Sequence, residues 1–346
     1  MKKCKYSLYP KAITWEITNK CNLNCEMCWL WGKKSIGKSF IQKELSLEEV
    51  KKMASDISEF KPIIYLTGGE PFIRKDIMEI IEYLKKKELC LALTTNGTLI
   101  TKKIGKKLVG KLDGITFSLD GSVEVHNRIR GKGNFEKAIS GLKTILDARE
   151  YNGLDLPIVR INFTISNQNY NILHDMVDLA EELEVDILQF NHLWFTDKKS
   201  ADLHYLTLKN LFGIECKGIY GYVSEIKIDT LLLHKEIEAI KNKKTGLYIT
   251  FNPDLNSKSD IQKYYTDPKF KFKKRCLYPW FSARIMPNGD LSPCLDYHLS
   301  EYLIGNLKQN TFKELWNSKK YRYFRKILKE KESFPGCSRC CGLFAF

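Results

Sequence analysis

The sequence predicts an α/β fold, in which a parallel sheet covered by helices is followed by a small cysteine-rich C-terminal extension. Six apolar runs alternate with amphipathic helical stretches, which requires parallel strands joined by right-handed crossovers. The runs are continuously apolar, as expected for strands buried on both faces. With 346 residues, 43% of them hydrophobic, the chain can bury the cores of two domains, and a disordered protein is excluded. An open doubly wound sheet and a partial or full β/α barrel both satisfy the pattern.

The predicted elements follow one another in a regular order. Ser46 and Glu49 form a capping box, which predicts that the first helix begins there and ends near Phe60. The other elements are predicted from periodicity and flanking turn residues. The predicted strands are 12–18, 62–67, 89–95, 114–120, 157–165 and 186–191, and the further helices between them are 76–87, 101–108, 135–151 and 169–183.

Beyond residue 191 the pattern becomes less regular. Three glycines within 213–221 indicate an insertion or lid over 196–228, and the polar, basic stretch 257–275 is predicted to be a linker. Asn288 and Gly289 predict the turn of a β-hairpin. Further predicted elements are a helix over 229–243, a strand over 247–252, hairpin strands over 282–286 and 291–294, and one or two helices over 311–329.

We therefore expect three parts in the chain. They are a sheet or barrel domain over 1–245, a connecting segment over 246–275 and a cysteine-rich domain over 276–346.

Charge and hydropathy bear on partners and location. The net charge is +15, but the lysines are spread along the sequence, which is typical of solvated helix faces and argues against nucleic acid as a partner. No run of about 18 apolar residues is present, so no transmembrane helix is predicted. The first residues lack the apolar segment of a secretory signal, and we expect a cytoplasmic protein.

The cysteines carry most of the functional information. There are 11 of them, and clustered thiols in a cytoplasmic protein indicate metal ligands. Cys21, Cys25 and Cys28 lie within eight residues, directly after the first predicted strand. Three thiolates from one loop can hold three corners of a cubane iron–sulfur cluster and leave the fourth iron open to a substrate or cofactor. A structural zinc site would need a fourth local ligand, and none is nearby.

A second motif ends the next predicted strand. The tetrapeptide Gly-Gly-Glu-Pro at 68–71 combines two glycines that allow close approach to the backbone, a carboxylate and a turn-fixing proline. The carboxyl ends of parallel strands meet at one edge of a sheet, where α/β enzymes bind their ligands. We therefore expect this turn to lie beside the three-cysteine loop, at a binding site.

Together these motifs resemble those of the radical S-adenosylmethionine (SAM) enzymes. The resemblance extends to Thr-Asn-Gly at 95–97, Ser-Leu-Asp-Gly at 118–121 and His-Asn-Arg-Ile-Arg-Gly at 126–131, and it covers most of the chain. It implies a partial (β/α)6 barrel in which the three cysteines hold a [4Fe–4S] cluster and SAM chelates the unique iron. It also implies an electron donor such as flavodoxin or ferredoxin.

The resemblance further implies which residues contact SAM. The turn at 68–71 would bind the methionyl amine, Ser118 and Asp120 would lie near the ribose and methionine, and Arg130 could pair with the SAM carboxylate through its guanidinium fork. The family commonly has an aromatic residue before the third cysteine, where this chain has Met27, which can still pack against adenine. The predicted SAM-contact residues are Met27, Gly68, Gly69, Glu70, Pro71, Asn96, Ser118, Asp120 and Arg130.

A second group of cysteines lies in the tail. Four converging thiolates supply a complete cluster site, although a zinc ribbon is the structural alternative. The spacing around the Asn-Gly turn and the Leu-Trp-Asn-Ser stretch at 315–318 resemble the SPASM/twitch extensions of radical SAM enzymes. Five tail cysteines match the shorter twitch form, which implies one auxiliary [4Fe–4S] cluster, with Cys341 as a rival for the last ligand position. The predicted ligands are Cys276, Cys294, Cys337 and Cys340.

Three residues near these motifs have two interpretations each. Trp29 and Trp31 follow the third cysteine and could wall the cavity or pack in the core. Cys216, in the glycine-containing segment, could face the active site or lie apart from it. Cys90, in the third predicted strand, is expected to be a small core residue.

We therefore expect an enzyme that reductively cleaves SAM to a 5′-deoxyadenosyl radical and removes a hydrogen atom from its substrate. The auxiliary cluster could accept an electron from the substrate, which would favour oxidation, or it could be structural. The resemblance implies that the substrate is a peptide, a protein or a small molecule. Only about eleven residues precede the first predicted strand, which leaves no room for a peptide-recognition domain there and weakens the peptide interpretation.

The alternative function is a basic zinc-ribbon protein that binds nucleic acid without redox catalysis. The charge of +15 supports it. The turn at 68–71 and the missing fourth ligand of the first cysteine loop oppose it.

Overall fold

The computed structural model describes residues 8–32, 43–271 and 275–343, and within them ten strands form one sheet. The strands are β1 (Ala12–Thr18), β2 (Ile63–Gly68), β3 (Leu91–Thr95), β4 (Gly114–Ser118), β5 (Ile158–Ile165), β6 (Ile187–His192), β7 (Tyr248–Asn252), β8 (Ser282–Ile285), β9 (Asp290–Ser292) and β10 (Gly305–Asn306). Their order is β10-β9-β8-β1-β2-β3-β4-β5-β6-β7. All neighbours from β8 to β7 are parallel, and β9 and β10 continue antiparallel. The two ends of the sheet do not pair, which confirms a partial barrel.

Helices connect the parallel strands. The capping box at Ser46 is present, and its helix begins at the next residue. The helices are α1 (Leu47–Ser58), α2 (Ile77–Lys86), α3 (Lys102–Leu108), α4 (Val123–Arg130), α5 (Asn134–Tyr151), α6 (Leu173–Glu182), α7 (Lys198–Phe212), α8 (Thr230–Asn242), α9 (Lys258–Thr266), α10 (Tyr278–Phe281), α11 (Phe312–Trp316) and α12 (Lys319–Lys331). Of the helices in the described ranges, none combines the length and the apolar character needed to cross a membrane.

The two faces of the barrel sheet differ in polarity. Along β5 the odd-numbered residues from Val159 to Ile165 are fully buried, whereas the even-numbered residues from Arg160 to Thr164 are only partly buried. The expectation that the strands are buried and apolar on both faces is therefore wrong. Their inner face carries polar side chains because it surrounds a cavity.

Two segments expected to be irregular contain helices. In the segment 196–228, α7 begins after the N-cap Asp197 and ends at Gly213, whose left-handed φ of 69° makes it a helix C-cap. In the predicted linker 257–275, α9 buries Tyr264 completely. Both segments therefore contain more regular structure than their sequences indicate, because the polar residues occupy the exposed faces of amphipathic helices.

The C-terminal region is joined to the barrel through the sheet itself. β8 lies parallel to β1, with Ala12 opposite Ser282. The predicted hairpin is confirmed, since β8 and β9 are antiparallel and Gly289 has a φ of 90° in the turn. At the other edge, β7 extends the sheet from within 246–275. Barrel and tail therefore share one continuous sheet.

Candidate functional site

The loop after β1 presents three cysteines in a compact conformation. The Cys28 amide donates a hydrogen bond to the Cys25 carbonyl at 3.0 Å. The Leu23 amide donates to Cys21 Sγ at 3.4 Å, and the Trp31 amide donates to Cys28 Sγ at 3.3 Å. Because such donors stabilise charge on sulfur, the loop is prepared to carry thiolates.

A cavity of about 420 Å³ lies between this loop and the carboxyl ends of β2 to β5. It brings together most of the residues predicted from sequence, which had come from five separate motifs. The predicted residues that line it are Cys21, Cys25, Met27, Cys28, Gly68, Gly69, Asn96, Ser118 and Arg130.

Glu70 and Pro71 lie behind the cavity wall. Glu70 is 1% exposed, and its carboxylate accepts hydrogen bonds from the Thr95 hydroxyl at 2.8 Å, the Asn96 amide at 2.7 Å and the Phe72 amide at 3.2 Å. Burial raises the pKa of Glu70, while these bonds oppose the rise. In this structure Glu70 fixes the loop that carries Asn96.

Asp120 also lies behind the wall, where it holds Arg130. Asp120 is fully buried, with its Oδ2 2.5 Å from Arg130 Nε and its Oδ1 accepting from the Thr164 amide at 2.8 Å. Arg130 also approaches Cys25, with Nη1 3.7 Å from Sγ. Burial alone would lower the pKa of Arg130, but Asp120 and Cys25 raise it, so the guanidinium is a fixed positive charge at the cavity.

The two glycines of the 68–71 turn pack directly against the cysteine loop. A Cβ on Gly68 would lie 2.2 Å from the Thr18 carbonyl oxygen, and one on Gly69 would lie 2.1 Å from that of Lys20. The Gly69 amide donates to Thr18 O at 2.9 Å. The glycines were expected to allow close approach of a ligand. In the structure they also allow close packing of the backbone at Thr18 and Lys20.

Burial raises the pKa of two of the loop thiols. It raises the pKa of Cys21 to about 11. It also raises the pKa of Cys25, although Arg130 opposes the rise. Since a metal binds the thiolate, loading a cluster must release the protons of these thiols.

The four predicted tail ligands line a second cavity. Cys276, Cys294, Cys337 and Cys340 converge there from four places in the chain, among apolar side chains, whereas Cys341 is not among the lining residues. Burial raises the pKa of Cys276 to about 11 and of Cys337 to about 12. Four thiols in an apolar pocket fit a cluster with complete cysteine ligation.

The tail cavity also contains a histidine that the sequence did not single out. His298 is fully buried, and its Nε2 lies 3.5 Å from Cys337 Sγ and 3.9 Å from Cys294 Sγ. Burial lowers its pKa to about 3. Ligand atoms of His298, Asp296 and Cys340 all lie within 4.8 Å of one another. Its position four residues after a predicted ligand is the only sequence signal.

Aromatic rings separate the two cavities. Trp29, Trp194 and Tyr222 line the first cavity, with ring centroids of Trp194 and Tyr222 3.6 Å apart and those of Trp29 and Tyr222 5.9 Å apart. Trp194 also lies 5.1 Å from the His298 ring. We name these three rings the aromatic wall. Trp31, by contrast, donates its indole N–H to the Asn19 carbonyl and is not a lining residue.

Two isolated cysteines lie outside both cavities. Cys90 is exposed, so its expected core position is wrong, because β3 begins only at Leu91. Cys216 is fully buried beside Glu301 and is not a lining residue of the first cavity.

Comparison with known proteins identifies the family. Residues 15–180 match the radical SAM superfamily, and residues 276–341 match SPASM, an iron–sulfur cluster-binding domain. An AdoMet-dependent heme synthase of Methanosarcina barkeri is 35% identical over 341 residues, which cover 96% of this chain and 88% of that protein. The chain belongs to the radical SAM superfamily.

Two further similarities are partial or distant. An Fe-coproporphyrin III synthase of Methanosarcina barkeri is 35% identical over 193 residues, which cover 55% of this chain and only 45% of that protein. The structure of SuiB from Streptococcus suis bound to S-adenosylmethionine has a TM-score of 0.67 at 18% identity, covering 94% of this chain and 69% of the other. The latter shows a shared fold.

Membership confirms the predicted class of chemistry. The chain is a radical SAM enzyme whose cofactors are a [4Fe–4S] cluster and SAM, and its SPASM domain implies further iron–sulfur ligation. Such an enzyme needs a reductant and a substrate. The iron–sulfur prediction is thereby favoured over the zinc-ribbon alternative.

Proposed function

We propose that this radical SAM enzyme oxidises side chains of an iron tetrapyrrole related to heme. The observation that carries the proposal is the aromatic wall of Trp29, Trp194 and Tyr222, which lines the first cavity on its side toward the tail cysteines. Flat conjugated rings stack favourably on such side chains. The Methanosarcina relatives named for heme and Fe-coproporphyrin III synthesis support the choice of tetrapyrrole.

In this proposal the barrel residues bind the SAM-dependent cluster and SAM in two layers. The lining layer comprises the cluster ligands Cys21, Cys25 and Cys28 and the SAM contacts Met27, Gly68, Gly69, Asn96, Ser118 and Arg130. The supporting layer acts through the first: Glu70 fixes the Asn96 amide, Pro71 fixes the turn, and Asp120 holds Arg130 toward the SAM carboxylate. With both cofactors bound, the site supplies a 5′-deoxyadenosyl radical that removes a hydrogen atom.

The chemistry requires an electron acceptor. Heme carries vinyl groups at two positions where Fe-coproporphyrin III carries propionates. Conversion of one propionate to a vinyl group removes one hydrogen atom, one electron and carbon dioxide. The hydrogen atom goes to the radical, and a cluster held by Cys276, Cys294, Cys337 and Cys340 is the acceptor that this chain offers for the electron.

The same proposal includes the electron donor, the location of the enzyme and the roles of its three parts. The first cluster needs a low-potential donor, for which flavodoxin or ferredoxin is suited, and oxygen-sensitive clusters of this kind belong in the cytoplasm. The division into 1–245, 246–275 and 276–346 assigns SAM cleavage to the first part and the auxiliary cluster to the last. A peptide is the competing substrate class.

The test uses anaerobically reconstituted full-length protein with SAM, dithionite and Fe-coproporphyrin III. We expect 5′-deoxyadenosine, carbon dioxide and vinyl-containing porphyrin in equal amounts for each converted side chain, measured by chromatography and mass spectrometry. Formation of 5′-deoxyadenosine with the porphyrin unchanged would exclude this substrate and leave the superfamily chemistry intact.

A matched pair of variants tests the aromatic wall. Trp194→Ala should keep slow SAM cleavage but lose porphyrin turnover at least tenfold, because the ring that faces the substrate is removed. Tyr151→Ala, which removes an aromatic ring that is 86% exposed and absent from the cavity lining, should behave as the wild type. Equal turnover by both variants would show that the aromatic wall does not contribute to porphyrin turnover.

A further inference from the structure

His298 occupies the tail cavity in a geometry that its neighbours explain only in part. Its ring is fully buried, and Nε2 is within hydrogen-bond distance of the sulfurs of Cys337 and Cys294, at 3.5 and 3.9 Å. Its Nδ1 is buried and has no hydrogen-bond partner among the described residues. A buried nitrogen without a hydrogen-bond partner lowers the stability of the folded state, so the ring position needs a compensating interaction.

The backbone around His298 holds the ring in place. Its carbonyl oxygen accepts a hydrogen bond from His204 Nε2 at 3.0 Å, and the other His204 nitrogen accepts from the Gly336 amide at 3.0 Å. Gly336 directly precedes Cys337. The same histidine pair therefore ties the His298 segment to the segment that carries a predicted cluster ligand.

The choice of tautomer follows from the contacts. A proton on Nδ1 would have no acceptor among the described residues, whereas a proton on Nε2 is directed at two sulfurs. Thiolates and cluster sulfurs carry more negative charge than thiols and are stronger acceptors. Cluster loading would therefore strengthen this contact.

We propose that His298 donates an Nε2–H hydrogen bond to a sulfur of the auxiliary cluster site and thereby raises the reduction potential of that cluster. Reduction adds negative charge, and a hydrogen-bond donor stabilises the more negative state. His298 is thus a tuning residue, and the four cysteines remain the ligands.

The position of His298 indicates that this hydrogen bond favours electron transfer from the substrate to the auxiliary cluster. This part of the inference rests on the proposed function. Its ring lies 5.1 Å from Trp194, which lines the SAM cavity. A higher potential makes the auxiliary cluster a better acceptor for the electron that leaves an oxidised substrate. His298 would therefore stand at the point where the two cavities meet and bias electron flow toward the tail.

The test measures the auxiliary cluster alone. Full-length protein with Cys21, Cys25 and Cys28 replaced by alanine retains only the tail site, and its midpoint potential is measured by redox titration without SAM or substrate. In this background His298→Leu should shift the potential to a more negative value with iron content unchanged. His298→Gln, whose amide nitrogen can occupy the Nε2 position, should restore most of the shift. Leu328→Met, which alters an apolar residue of the same cavity, should leave the potential unchanged.

A second measurement does not depend on the stability of any His298 variant. Histidine labelled with 15N should give a weak hyperfine coupling to the reduced auxiliary cluster, as expected across a hydrogen bond. Absence of any histidine coupling, or identical potentials for His298→Leu and the parent, would overturn the proposal. A strong coupling typical of direct ligation would also overturn it, since His298 would then be a ligand. Because no substrate is present, these results are independent of the tetrapyrrole proposal.

Discussion

The two cysteine sites are built in opposite ways. The first takes three cysteines from eight consecutive residues and places them at the edge of a cavity of about 420 Å³. The second gathers four cysteines from positions 276 to 340 into an apolar pocket that includes a buried histidine. A local loop therefore suits a site that must exchange a cofactor, whereas a site assembled from distant segments also holds a domain together.

The first prediction separates the two sites by their iron. Full reconstitution should give about eight irons per chain from two cubanes, and replacing Cys21, Cys25 and Cys28 by alanine should leave about four. SAM cleavage should fall to the background rate, because the cluster whose open iron binds SAM is the one that is lost. Cys90→Ala, which removes an exposed cysteine, should change neither iron content nor activity. Full iron content in the triple variant would show that the first site is assigned wrongly.

The second prediction breaks the tail site. Cys340→Ala should lose the auxiliary cluster and product formation, while slow formation of 5′-deoxyadenosine continues at the intact first site. Cys341→Ala should keep both, because Cys341 does not line the pocket. Iron, 5′-deoxyadenosine and product are measured separately. If Cys341→Ala lost the cluster and Cys340→Ala did not, Cys341 would be the ligand and Cys340 would not.

The third prediction concerns the ion pair between barrel and tail. Arg284 on β8 is fully buried, lies 3.7 Å from Glu16 on β1 and stacks on the Tyr297 ring at 4.1 Å. Arg284→Met leaves the Glu16 carboxylate without its cation and should destabilise the tail by about 3–5 kcal/mol. The measurement is hydrogen exchange of the amides in 282–300.

The matched control for Arg284 is a surface pair. Lys61→Met removes the partner of Glu88, whose side chain is 85% exposed, and should change stability far less than Arg284→Met does. The double variant Glu16→Gln/Arg284→Met should recover part of the loss. Equal effects of Arg284→Met and Lys61→Met would show that burial does not strengthen the barrel–tail pair.

The fourth and smallest prediction concerns the close contact behind the first site. Gly69→Ala places a Cβ 2.1 Å from the Lys20 carbonyl oxygen and should destabilise the barrel by about 1–3 kcal/mol. SAM cleavage should slow, because the cysteine loop moves away from the 68–71 turn. Gly246→Ala meets no atom within 4 Å and should have no effect on either quantity. Thermal unfolding measures the change in stability of each variant, and single-turnover rates measure its SAM cleavage.

Sequence alone predicted the elements whose signals are local. The strand Ala12–Thr18 and the cap of α1 have the predicted bounds, because apolar patterning and capping chemistry reside within a few residues. α4 was missed, because its polar sequence, Val123–Arg130, has few apolar residues to mark a face. The helix within 196–228 is not predicted, because the glycines of this segment indicate a break in structure, whereas Gly213 caps the end of a helix.

The residues of the two sites divide in the same way between local sequence signals and side-chain packing. Strand-end motifs predicted the cavity, because parallel strands bring their carboxyl ends together. Whether a residue lines a cavity or supports it depends on side-chain packing, and so the positions of Glu70 and Asp120 behind the wall emerged only from the structure. Its spacing from Cys294 alone does not single out His298, because the second sulfur contact is to Cys337, 39 residues away.

The parallel pairing of β8 with β1 has a consequence for synthesis of the chain. β1 has β2 on one side and β8 on the other, and 213 residues lie between Gly68 and Ser282. At about 5–20 residues per second, a ribosome needs roughly 10–40 s to make them. During that time one edge of β1 has no partner strand, directly beside the cysteine loop. An unpaired edge invites association with other chains, so the nascent protein is most exposed to misassembly at the site where its first cluster will be inserted.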